Sequence, residues 1–231
     1  MDLRAQGVDV EHARRLSLTA VSAAFAPGTR ALVLGRAGAG KTLLLKALAG
    51  LVLPTRGSVR WDGEDVAGLS PARRRERQAA FGMVFQTDAL FDSLSVLDNV
   101  LMPLRRRHVP EARALERGRE VLQAVGLAHA EQTLPENLSG GMRKRVGLAR
   151  ALAARPSVLL ADDPFAGLDP GTARQVAAVL LEVAGEGTLL VAAPEPPPEL
   201  PFGRWLLMRE GRLVHDGAPA PRALEELEEV P

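Results

Sequence analysis

Gly35-Arg36-Ala37-Gly38-Ala39-Gly40-Lys41-Thr42 fits the spacing G-x-x-x-x-G-K-[ST] at every fixed position. Glycines so spaced let successive backbone N–H groups turn inward around phosphates. Lys41 then supplies a point charge between a β- and a γ-phosphate, and the Thr42 hydroxyl can ligate Mg²⁺. About a hundred residues on, Leu138-Ser139-Gly140-Gly141-Met142 opens an arginine-rich amphipathic stretch. Ser139 can cap that helix, while Gly140 and Gly141 leave its N–H groups open. A bare helix N-terminus attracts anions. Two in one chain suggest a nucleotide held from both sides, with two copies of the chain as one way to do so.

Two further side chains gain meaning from that pair. Asp162 ends the apolar run Val158-Leu159-Leu160-Ala161. A carboxylate at the carboxyl end of a buried strand faces the ligand crevice of an open sheet and can hold Mg²⁺ through water. Alone it is a turn or cap residue. Gln86 follows the short strand Gly82 to Phe85. A lone glutamine there is a loop amide; beside a phosphate loop it is a candidate to sense Mg²⁺ and the attacking water.

The elements that must position these residues follow from periodicity. Ala31-Leu32-Val33-Leu34 reads as a buried strand before the loop, and Leu43 to Gly50 as the helix after it. Ser58 to Trp61 is a strand with an Asp62-Gly63 turn. Val96 to Arg107, Glu111 to Val125 and Gly141 to Ala154 are helical. Thr172 to Ala184 is a helix, Thr188 to Ala192 a strand, and Arg204 to Met208 with Arg212 to His215 a hairpin. Strand–helix alternation interrupted by a helical block predicts an α/β core with an inserted helical subdomain. Pro194 to Pro201 reads as rigid and extended, and Glu225 to Glu229 as a solvated helix end.

Composition removes several classes. The 231 residues suit one α/β domain, alone or with an inserted subdomain. A net charge of +1 argues against nucleic acid or an anionic membrane surface as partner. Cysteine is absent, which excludes disulfides and thiol-ligated metals. No signal-peptide core and no membrane-spanning run are visible, so a cytoplasmic protein is expected, reaching the inner face of the membrane only through a partner. Lysine occurs only at positions 41, 46 and 144.

The order of these motifs resembles the ATP-binding cassette (ABC) ATPases, whose signature is LSGGQ; here Met142 takes the Gln place. The resemblance spans roughly residues 1 to 217 and includes Ala166-Gly167-Leu168-Asp169. It implies a P-loop NTPase (RecA-like) α/β core with an N-terminal antiparallel β-subdomain. Residues 1–91 and 155–217 would form these, 92–154 the helical signature subdomain, and 218–231 an acidic tail. It also implies head-to-tail packing of two such domains, in a homodimer or a heterodimer. Each Mg-ATP would lie between one phosphate loop and the other subunit's Ser139 to Gly141, with Asp169 at the seam. Adenine would stack near His12, where an imidazole can serve or be a plain surface residue. Closure would move a separate integral-membrane permease docked near Gln86 to Val100. Phe85 to Phe91, Val96 to Val100 with Pro103-Leu104, and the Gly-Gly-Met-Arg-Lys-Arg run look closest to the ATPases of Mla-type (MCE-associated) phospholipid transporters. Asp163 to Pro170 fits too, a flavour shared with lipopolysaccharide exporters.

Two positions depart from the family pattern. Asp163 stands where the family places the Glu that polarises the attacking water, and is about 1.5 Å shorter. Pro194 stands where a His usually contacts the γ-phosphate, and proline brings neither a side-chain donor nor an N–H. Intact binding with slow hydrolysis is the expectation, or a non-catalytic, regulatory partner in a heterodimer. A soluble ABC protein acting on nucleic acid or ribosomes is disfavoured, since those carry two cassettes or long coiled-coil inserts.

Overall fold

The computed structural model describes residues 1–12, 15–85 and 90–228. In chain order the strands are β1 (Leu3–His12), β2 (Arg15–Phe25), β3 (Arg30–Leu34), β4 (Arg56–Trp61), β5 (Glu64–Asp65), β6 (Phe81–Val84), β7 (Val158–Asp162), β8 (Thr188–Ala193), β9 (Trp205–Arg209) and β10 (Arg212–Gly217). The helices are α1 (Lys41–Leu48), α2 (Pro71–Gln78), α3 (Val96–Arg106), α4 (Glu111–Ala124), α5 (Gly140–Ala153), α6 (Pro170–Ala184) and α7 (Pro221–Glu228).

Strands β3, β7 and β8 are apolar almost end to end because both faces of their sheet are covered. The six-stranded sheet runs β10-β9-β3-β8-β7-β6, parallel except for β10 at its edge. Period-two alternation sends Leu32, Leu34, Leu159, Leu189 and Val191 to one core, shared with α3 to α6. Val33, Val158, Leu160, Leu190 and Leu206 go to a second core on the opposite face. That core is closed by α1, through Leu44, Leu45 and Leu48, and by a four-stranded antiparallel sheet ordered β2-β1-β4-β5. Trp61 of β4 joins the two: it is fully buried, its indole N–H donates to the Leu48 carbonyl at 2.8 Å, and its ring lies 5.1 Å from that of Phe81. The α/β class with its antiparallel β-layer agrees with the expectation.

Helices α3, α4 and α5 pack on one another and back onto β6. Asn99, fully buried in α3, ties down the preceding segment. Its amide N donates to the carbonyls of Phe91 and Leu94, and its Oδ1 accepts from Phe91 N at 2.8 Å. One local expectation needs correction. The proline-rich segment is not extended throughout: Leu200 N donates to the Pro197 carbonyl at 3.0 Å, closing a turn, because buried Leu200 and Phe202 pull the chain back to the core. Ala223 and Leu224 of α7 pack against the core, while Glu225 beside them is exposed. No helix among the described residues is long and apolar enough to cross a membrane.

Candidate functional site

The phosphate-loop motif leaves the carboxyl end of β3 and enters α1, as a crevice ligand site requires. Gly35 is buried at φ 145°, and a Cβ there would lie 2.3 Å from the Met208 carbonyl oxygen. Gly40 is the N-cap of α1 at φ 101°, with Leu18 Cδ2 2.9 Å from where its Cβ would stand. Among the described residues no side chain caps this helix, and its first residues line an open pocket of about 410 Å³. Gly38, Ala39, Gly40, Lys41 and Thr42 line it, while Arg36 and Ala37 form the exposed turn of the loop. The Lys41 ammonium donates to the carbonyls of Gly35 at 2.5 Å and Arg36 at 3.0 Å. Burial lowers its pKa, offset in part by the negative charge of Asp162 and Asp163.

Asp162 lies at the end of β7, beside Ala192 of β8, and is 3% exposed. Its carboxylate and the Thr42 hydroxyl are hard oxygen donors, a set that fits Mg²⁺ rather than a soft metal. Asp163 follows in the left-handed region at φ 48°, its N–H donating to the Ala192 carbonyl at 2.8 Å. Burial pushes its carboxyl up, Lys144 pulls it down, Asp162 raises it again, and Lys41 lowers it. Two adjacent carboxylates thus stand between two lysines. Pro194 follows β8 directly and is exposed.

The second glycine segment starts α5. Ser139 is its N-cap, and its hydroxyl accepts from Met142 N at 3.3 Å. Gly140 is exposed and Gly141 half-buried. The opposite end of the helix is fixed by guanidinium groups on its last carbonyls: Arg107 donates to Ala154 O at 2.6 Å and Arg117 to Ala153 O at 3.3 Å. Asp169 is the N-cap of α6, accepting from Gly171 N, Thr172 N and the Thr172 hydroxyl, which hold its carboxyl below the usual range. Asp162, Asp163 and Lys41 are therefore brought together, and Ser139 stands apart on a different helix start. Gln86 and the side chain of His12 lie outside the described residues.

Sequence reasoning missed two neighbours of the phosphate loop. The Glu210-Gly211 hairpin tip lines its pocket together with Ser17, and Gly211 N donates to the Ala39 carbonyl at 3.1 Å. The turn itself was legible from Glu-Gly between two strands; its docking on the loop was not, since that contact joins distant segments.

The model of the ABC transporter family matches residues 18–166. The chain belongs to that family. The lipoprotein-releasing system ATP-binding protein LolD of Bordetella pertussis is 43% identical to it over 203 residues, 86% of this chain and 87% of that protein. The methionine import ATP-binding protein MetN of Rhizobium etli is 38% identical over 188 residues, 80% of this chain and 52% of that protein. The chain spans about half the length of the methionine-import relatives it matches. Among solved structures, a dimeric post-hydrolysis state of the ATP-binding cassette MJ0796 bound to ADP and Pi matches with a TM-score of 0.86 and 26% identity. That match covers 94% of this chain and 98% of the other.

Proposed function

We propose that this chain is the ATP-binding subunit of an ABC transporter. Two such subunits, alike or cognate, close head to tail over Mg-ATP and drive a separate membrane permease, with block 92–154 acting as the signature subdomain. One observation carries the reading: two glycine helix starts in one chain, of which only the first is demanded by the chain's own packing. Among the described residues, a Cβ on Gly140 or Gly141 would meet nothing nearer than 3.8 Å and 3.7 Å. Their smallness therefore serves something outside the subunit, and a triphosphate held by a partner's phosphate loop fits that need. In the closed pair Lys41 stabilises the β- and γ-phosphates, Asp162 and Thr42 hold Mg²⁺ with Gln86, and Asp163 orients the attacking water. A stacking role for His12 belongs to the same reading.

A groove of about 490 Å³ lined by Leu51, Phe91, Met102, Pro103, Arg75 and Arg106 supports the permease as partner. Leu51 and Phe91, 52% and 49% exposed, share that groove with arginines, an apolar surface with a polar rim of the kind that marks an interaction site. The lipoprotein-releasing relative and the Mla-like segments support a lipid cargo.

Hydrolysis is slow, because Asp163 falls short and Pro194 offers no donor. A misplacement of about 1 Å can cost on the order of a hundredfold. Full-length protein with saturating Mg-ATP is expected to bind clearly, to dimerise in sedimentation velocity, and to turn over below about 0.1 per second, against the 1 per second and above of ordinary enzymes. Asp163→Glu should raise the rate about tenfold. Turnover at an ordinary transporter rate in the unmodified protein removes the slow-hydrolysis reading, and failure to bind Mg-ATP removes the whole proposal. A rate unchanged by Asp163→Glu favours the second reading, a regulatory subunit whose partner carries the chemistry; Pro194 is the observation behind it.

A further inference from the structure

We propose that Lys144 is a positioning residue that ties the start of α5 to the loop carrying Asp163. The inference rests on the ABC ATPase reading above and adds a part to it. Lys144 lies one turn into α5, and its ammonium donates to the Ala166 carbonyl. It lines the same small cavity as Asp163 and Pro164. The loop it grips is folded on itself: Ala166 N donates back to the Asp163 carbonyl at 3.3 Å, and Leu168 N to the Phe165 carbonyl at 3.1 Å. A pull on the Ala166 carbonyl is therefore felt at Asp163. The other end of Asp163 is fixed to β8 through its N–H bond to Ala192. A second contact runs in parallel, since Leu168 Cδ2 stands 3.7 Å from the Cβ position of Gly141.

The consequence is a link between two different nucleotides. The start of α5 faces the triphosphate gripped by the partner subunit, whereas Asp163 serves the one gripped by its own phosphate loop. A rigid bond between them lets closure over one site set the carboxylate of the other. Apolar packing at Leu168 alone would hold the loop's position loosely; a charge-assisted bond to a carbonyl fixes it in direction as well. Such a group acts on the chemical step more than on nucleotide affinity, because its bond reaches neither the phosphate loop nor Ser139 to Gly141 directly.

Steady-state hydrolysis of radiolabelled ATP by the full chain, a label sensitive enough for slow rates, tests this. Lys144→Met keeps the stem and removes the donor. It is expected to lower kcat about tenfold, with KM for Mg-ATP within about twofold of wild type, and Lys144→Arg is expected to recover most of the rate. Hydrogen exchange supplies a readout that needs no turnover: in Lys144→Met the amides of 166–168 should exchange faster while those of 146–152 keep wild-type protection. Unchanged exchange at 166–168, a parallel change in kcat and KM, or an Arg variant as slow as the Met variant overturns the proposal. Wild-type protein that never saturates with Mg-ATP would instead overturn the ABC ATPase reading, and the exchange comparison would still decide the tether.

Discussion

The two glycine helix starts differ in what makes their glycines necessary. At the phosphate loop the necessity is internal. Gly35 and Gly40 have positive φ, and side chains there would run into the Met208 carbonyl and into Leu18. The loop is wedged between β2, β9 and the tip of the β9–β10 hairpin, and among the described residues no side chain caps α1. At α5 the chain already supplies a cap from Ser139, and the space around Gly140 and Gly141 would take a methyl group. One site is complete within the subunit, while the other is a helix start offered outward. Sequence spacing alone makes them look equivalent; packing separates them.

The contrast is broken most directly at Gly35. Gly35→Ala places a methyl group against a backbone oxygen at a φ that an L-residue rarely adopts. The two strains together should cost at least about 3 kcal/mol of stability. Urea unfolding measures it, and a variant as stable as wild type would show that the loop yields and that the difference between the sites is not one of packing. Gly141→Ala is the mirror experiment. Within a helix the change from Gly to Ala is neutral or stabilises by up to about 1 kcal/mol. The same methyl group would stand between α5 and a partner's nucleotide, so ATP-driven dimerisation and turnover should fall on the order of a hundredfold. Stability preserved with function lost places the need for Gly141 outside the subunit; function preserved would return the segment to an ordinary helix start.

The same distinction between internal and external demands explains what could be read from the chain beforehand. Strands β3, β7 and β8 were legible because burial on both faces writes continuous apolar runs, and α3 to α6 because each has an apolar stripe facing one core. Strands β1 and β2 were implied only by family resemblance. Register shifts between Ala5 and Glu11, and the positive φ of Ala20, break the alternation that would announce them. Helix α2 has no buried residue at all; Ser70 capping Arg73 N and the ion pair of Arg77 with Asp62 hold it, so hydrophobic periodicity had nothing to report. The motif residues were legible by type and spacing. Lys144 was not, because its partner is a backbone carbonyl, which leaves no residue signature. Asp169 was expected only at a dimer seam, yet within the subunit it is also the cap of α6.

Ser139 offers the finest division between the two demands, since its hydroxyl can answer both. Within the chain it accepts from Met142 N across 3.3 Å, a long bond, so Ser139→Ala should cost only about 0.5–1 kcal/mol in urea unfolding. Ser139→Asn keeps a good N-cap acceptor and should recover that loss. The Asn side chain is larger and points its oxygen at the helix rather than outward. If the hydroxyl also reaches a nucleotide gripped by the partner, Ser139→Asn regains stability but not ATP-driven dimerisation in sedimentation velocity. If Asn restores both, Ser139 is a cap and nothing more, and the outward offer of α5 rests on the backbone N–H groups of Gly140 and Gly141 alone.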